Sequence, residues 1–141
     1  MSNTLTSPPA GHWPARRSII SAQLQTQFGM DQGLSIEQCL AGSGLTLSQL
    51  GDPASEIDAS QELILIGNLV AALGHIPDLG LLAGQRYHLS TYGIWGFALL
   101  SCPTLRSAAN MGLRYLDLTY AFCRMHLEEH GDDMHLRLDE Q

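Results

Sequence analysis

The residues near the C-terminus that could do chemistry are three histidines set among carboxylates. His126, His130 and His135 lie beside Glu128, Glu129, Asp132 and Asp133, donors that zinc accepts. His126 and His130 would share a face only on a helix, and the residue-by-residue alternation around them argues for a strand. There is no HExxH and no paired Cys-His spacing, so solvated turn residues are expected here, with no metal and no other cofactor. The three cysteines, Cys39, Cys102 and Cys123, are far apart and odd in number. They read as small buried hydrophobes in a reducing compartment. No nucleophile elbow, phosphate-binding glycine loop or CxxC is present. No catalytic residue is therefore expected, and the chain does not read as an enzyme.

Binding is a better match to the residue types. Trp95, Arg114 and Tyr115 fall within one apolar stretch, with Tyr92, Tyr120 and Arg124 around them. An arginine beside an apolar interior needs a carboxylate, which an internal acid or a ligand can supply. Together these six residues are the expected ligand site, a partly apolar pocket for a small molecule that could carry an acid group. The alternative is that Trp95 and Tyr115 simply fill a core and that Arg114 pairs internally or keeps a solvated head.

The elements that must position them follow from the stretch Tyr92–Leu118. One apolar helix runs from a Ser90-Thr91 start to Leu100. It stops at Ser101-Cys102 because Pro103 lacks an N–H and disfavours helical geometry in the residue before it. Thr104 stands where an N-cap belongs. A second helix follows, with Leu105, Ala108, Ala109, Gly112 and Leu116 on one face of a 3.6-residue repeat. Gly93, Gly96, Ala98, Ala108, Ala109 and Gly112 are small enough to let the two helices approach closely. This stretch reads as the buried centre of the domain.

Elsewhere the pattern is mostly helical. A helix over Arg17–Met30 precedes a short one capped by Ser35 and ended by Gly42 and Gly44. Thr46 opens a further turn through Leu50, stopped by Gly51-Asp52-Pro53. Ser60–Leu73 reads as a largely buried helix with Ser60 as N-cap and Glu62 in the first turn, and Asp78–Tyr87 as another short one. From Tyr120 the period changes to two. Tyr120–Leu127 and Met134–Asp139 predict a hairpin turning on Gly131-Asp132. In that register Leu127 faces Leu136 and Met125 faces Leu138. On the other face Arg124 meets Asp139, Glu128 meets His135, and His126 meets Arg137. A lone hairpin is marginal, so its apolar face must lie on the helices and one edge awaits another strand. The fold class expected is α+β, predominantly α-helical, with a helical core followed by a C-terminal antiparallel β-hairpin.

The chain has 141 residues, which suits one domain. Residues 1–16, rich in Ser, Thr, Pro and Gly, read as a flexible leader, and residues 17–141 as a single domain. The formal net charge is −7, from fourteen acids against seven arginines and no lysine. Such a balance, with no basic cluster, is poorly suited to a phosphate backbone. The short helices between Gly33 and Ile57 carry only acidic charges, so they do not read as a DNA reader. No apolar run reaches the roughly 18–20 residues that span a bilayer, and no secretory signal opens the chain.

The motif order resembles a known family. GLSIEQCLAGSGLTLSQLGDPASEI contributes Gly33, Leu34, Leu40, Ser43, Gly44, Leu45 and the Asp52-Pro53 stop. Further on stand Gly80-Leu81, Gly84, Tyr92-Gly93, Gly96, Ala98-Leu99, Pro103-Thr104-Leu105 and Arg114-Tyr115. In this order they resemble the N-terminal effector domain of AraC-type transcription regulators, of the arabinose-binding-domain-like type. The resemblance covers about residues 17–139. It implies a bacterial, cytoplasmic sensor that binds a small-molecule effector, and the open hairpin edge and acidic surface suit self-association as a homodimer. It also implies a C-terminal helix-turn-helix part, through which alone DNA would be contacted and which this chain lacks. The natural sensor domain is expected to continue past Gln141. The resemblance carries over no ligand residue, and the word arabinose identifies no sugar. The rival expectation is a dimerisation module with a filled core and no ligand.

Overall fold

A computed structural model of the chain describes residues 4–6 and 16–139. Most of the expected leader, including His12 and Trp13, lies outside the described residues. Within that leader Thr4–Thr6 forms a strand, β1. Chain contacts divide the molecule into two compact units: Ala15–His88, and Leu89 onward together with β1.

In the Ala15–His88 unit, β2 (Arg16–Ser18) pairs antiparallel with β3 (Glu56–Asp58), placing Arg17 opposite Ile57. Arg17 thus belongs to a strand, and the expected helix begins later, as α1 (Ile20–Asp31). The Ser18 hydroxyl accepts from the Ile20 N–H at 3.3 Å, which stops the strand and starts the helix. Next come α2 (Ile36–Leu40) and α3 (Leu47–Leu50). Each opens with a capping box, Ser35 with Gln38 and Thr46 with Gln49, as the Ser/Thr-x-x-Gln spacing requires. At the far end of α2, the Asn68 amide donates to the carbonyls of Cys39 and Ala41 at 2.9 and 2.8 Å. Those groups would otherwise lack partners. The long helix α4 (Ala59–Leu73) is capped by Asp58, whose N–H donates to the Gln61 side chain at 3.1 Å. Ser60, the cap expected from sequence, lies inside the first turn because β3 ends at Asp58. The short α5 (Leu79–Gly84) follows.

Ile19, Ala22, Phe28, Cys39, Leu45, Ile57, Leu65, Leu69 and Leu73 close over one another as the core of this unit. Full burial of such a side chain contributes roughly 1.5–3 kcal/mol, so this cluster is its main source of stability.

The other unit is built differently. A 3-10 turn over Leu89–Tyr92 leads into α6 (Gly93–Leu100), then α7 (Leu105–Arg114) and a second 3-10 turn over Leu116–Leu118. Thr104 caps α7 with Ser107 as partner. Leu116, expected on the second helix, lies past its end. The hairpin strands β4 (Arg124–His130) and β5 (Asp133–Asp139) then pair in the expected register, Leu127 with Leu136 and Met125 with Leu138. β1 takes the other edge of β4, giving the order β1-β4-β5. The strand that the hairpin awaited comes from the N-terminus. α7 packs on β4 and β1, and Arg106 reaches Glu129 at 2.7 Å.

The charged face departs from direct cross-strand pairing. Asp139 lies 2.8 Å from His126 and 3.3 Å from Arg137, and Arg137 lies 3.5 Å from Glu128. Asp139 thus meets its diagonal neighbour His126 across the pair and Arg137 two residues back on its own strand, not Arg124.

The stretch expected to be the buried centre is buried only in part, at Gly96, Gly112 and Leu113. Ile94, Phe97, Leu100 and Leu105 are 79%, 60%, 64% and 77% exposed. A helix apolar on every side does not tell which side is covered. α6 turns Gly96 inward and half-covers Trp95 and Leu99, leaving the other faces outside. The result is an α+β chain, mostly helical, ending in an antiparallel hairpin.

The hairpin gives a paired test. Leu127 is 3% exposed, whereas its partner Leu136 is half exposed. Leu127→Ala should lower unfolding free energy by about 2–4 kcal/mol and Leu136→Ala by under about 1 kcal/mol, measured by urea titration.

Candidate functional site

Three of the six expected site residues come together. The Tyr92 ring centroid lies 5.3 Å from that of Trp95 and 5.5 Å from that of Tyr120, with tilted planes. All three are half-buried. Local chain geometry explains the cluster. Tyr92 ends the 3-10 turn, Trp95 lies in the first turn of α6, and Tyr120 returns after the turn that follows α7. Gly96 makes this possible, since a Cβ there would stand 1.8 Å from the Leu89 carbonyl oxygen. Gly112 lets α7 lie against the Trp95 ring; a Cβ would meet Trp95 and Leu99 at 3.3 Å each. The close approach expected of small residues is therefore real at Gly112, while Gly96 faces the preceding turn and not α7.

Two polar ends of the cluster are satisfied internally. Trp95 Nε1 donates to the Gly112 carbonyl at 3.2 Å, and the Tyr120 hydroxyl donates to the Thr91 carbonyl at 3.4 Å. The other three expected residues sit apart from it. Arg114 and Tyr115 end α7 with exposed side chains, and among the described residues Arg114 makes no ion pair. Arg124 opens β4 half-buried, with Nε lacking a hydrogen-bond partner among the described residues. Of the two alternatives to a ligand partner, the solvated head is the one found for Arg114, because the end of α7 carries it into solvent.

The chain also holds a polar centre that the sequence reading did not gather. In the Ala15–His88 unit, Arg17 NH1 donates to Glu62 Oε2 at 3.2 Å, and both side chains are almost wholly buried. The Ser21 hydroxyl donates to Glu62 Oε1. Gln25 Nε2 lies 3.1 Å from the same oxygen and 2.9 Å from the Tyr87 hydroxyl, which is 2.7 Å from Ser21 Oγ. Burial pushes the Glu62 carboxyl above its ordinary range, and Ser21, Arg17 and Gln25 oppose this by stabilising the ionised form. Glu62 reads in the sequence as a first-turn helix residue; only its place within an otherwise apolar helix hinted at an interior partner.

The cysteines suit packing. Cys39 is fully buried, Cys102 and Cys123 are half-buried, and none forms a disulfide. Burial pushes the Cys39 and Cys123 thiols up, away from the reactive thiolate. Among the described residues no three His, Cys, Asp or Glu side chains group as a metal ion would need. No helix among them is long and apolar enough to cross a membrane.

Comparison with known proteins decides the family. The arabinose-binding domain of AraC transcription regulators, N-terminal, matches residues 33–141. This chain belongs to that family. Two relatives are uncharacterised HTH-type transcriptional regulators, from Mycobacterium tuberculosis and Mycobacterium bovis. Each is 29% identical over 133 residues, covering 92% of this chain. The chain spans 39% of the length of each. No solved structure matches it. The family match spans α2 through the hairpin, so the aromatic cluster and Glu62 both fall within it, while Arg17, Ser21 and Gln25 precede it.

The buried pair yields a testable asymmetry. Arg17→Met or Glu62→Gln alone strands one buried charged or polar partner and should lose about 3–5 kcal/mol. Arg17→Met with Glu62→Leu should lose less than either single change, in the same denaturant titration.

Proposed function

We propose that this chain is the effector-sensing, self-associating part of a bacterial AraC-type transcription regulator. It works in the cytoplasm and does no catalysis, and DNA is contacted through a helix-turn-helix part outside this chain. Membership of the regulator family carries the reading. The relatives, named as HTH-type transcriptional regulators, support the DNA-linked role. The net charge of −7 and the absence of lysine agree with a domain that does not itself hold DNA.

The effector contacts the aromatic cluster. Tyr92, Trp95 and Tyr120 offer half-buried ring faces, the surface that a small, partly apolar molecule needs. Self-association uses the apolar side chains left outside on α6 and at the start of α7. Ile94 and Phe97 are one turn apart, and a contiguous exposed patch of this kind marks an interaction surface.

One observation favours a second reading, an association module without a ligand. The Trp95 and Tyr120 polar ends already have partners within the chain, as a filled core requires. Titration separates the two. In a Trp13→Phe background, Trp95 emission should shift with one class among a panel of sugars, small carboxylic acids and aromatic acids. Tyr92→Ala should weaken that binding about tenfold. No response from any class, with self-association intact, establishes the second reading. Phe97→Asp should shift the assembly to monomer in sedimentation velocity under either reading, with the far-ultraviolet circular dichroism unchanged.

A further inference from the structure

The chain passes between its two units at Ala15 and at His88, and the residues just inside both passages are tied to the Glu62 carboxylate. Arg17, two residues past the first passage, donates to it directly. Tyr87, one residue before the second, reaches it through Ser21 and Gln25.

Proton accounting fixes the direction of each bond. The single Ser21 hydroxyl hydrogen goes to Glu62, so the Tyr87 hydroxyl must donate to Ser21 Oγ. Gln25 Nε2 shares its two amide hydrogens among Glu62 Oε1, the Tyr87 oxygen and Ser21 Oγ, at 3.1, 2.9 and 3.2 Å. The Tyr87 hydroxyl ties the outgoing segment to Ser21 and Gln25; without it those two still meet, Gln25 Nε2 lying 3.2 Å from Ser21 Oγ, so its removal unties the segment without stranding the network. The neighbouring tie is weaker. Arg86 reaches Asp31 at 2.7 Å and lies 5.7 Å from the Phe28 ring centroid, but the ion pair is well exposed.

We infer that the Glu62 centre is a junction latch. It holds β2 where the chain comes in and the Arg86–Tyr87 segment where the chain leaves, through one buried network that crosses β2, α1 and α4. The apolar core of the unit, built on Ile19, Leu65, Leu69 and their neighbours, does not include Tyr87. The outgoing segment can therefore open while the unit stays folded, which makes the latch a conformational device separate from global stability.

Native-state hydrogen exchange of the whole chain tests this. The Arg86 and Tyr87 amides are hydrogen-bonded to the Ala83 and Gly84 carbonyls, each at 3.0 Å, so their exchange reports opening of the outgoing segment. Tyr87→Phe keeps the ring and removes only the hydroxyl. It should speed exchange at those two amides at least tenfold while the amides of Leu69 and Leu73 in α4 change less than threefold. Arg86→Ala should change the Tyr87 amide less than Tyr87→Phe does. Unchanged exchange at the two amides in Tyr87→Phe, or equal acceleration there and in α4, would overturn the latch.

Discussion

One buried charge pair organises the better-packed half of this chain. The Glu62 carboxylate lies in the first turn of α4 with no exposure at all. Burial there disfavours its ionised form, and Arg17, Ser21 and Gln25 converge on it to oppose that cost. Meeting that demand fixes where β2 must run against β3 and which face of α1 must turn toward α4. Ile19, Ala22 and Phe28 are carried into the core by the same placement. Buried pairs of this kind contribute little net stability but penalise every arrangement that leaves a partner alone. Here that penalty selects a single packing of short elements that helix propensity alone would leave loose.

The unit from Leu89 onward follows another logic. Its order comes from strand pairing, from the seating of α7 on the sheet, and from rings that touch where glycine permits close approach. Its most apolar helix keeps Ile94, Phe97 and Leu100 outside. Both units leave apolar side chains outside, Leu47, Val70 and Leu81 in the first as well as Ile94 and Phe97 in the second; the first also encloses a buried polar centre.

Local signals were legible and distant ones were not. Ser35, Thr46 and Thr104 announce their helices because a cap needs only the three residues that follow it. The hairpin register was readable because a one-residue slip would put Leu127 and Met125 on the charged face. The β1 pairing was not readable, since nothing in Thr4–Thr6 marks which edge it will join. Arg17 and Glu62 are 45 residues apart, and no local pattern links a residue before one helix to the first turn of another. The sequence also placed the core at the longest apolar stretch. That inference fails when a helix is apolar on all sides, because composition then carries no face. For the same reason Arg114 and Tyr115, drawn into the expected site with Trp95, lie exposed, while Tyr92 and Tyr120 join it.

The claim that this chain senses an effector and self-associates is tested most directly by native mass spectrometry of the purified protein with nothing added. A homodimer carrying a reproducible extra mass of a few hundred daltons or less is the result predicted, and the mass identifies the effector class. A monomer with no bound mass contradicts both halves of the account.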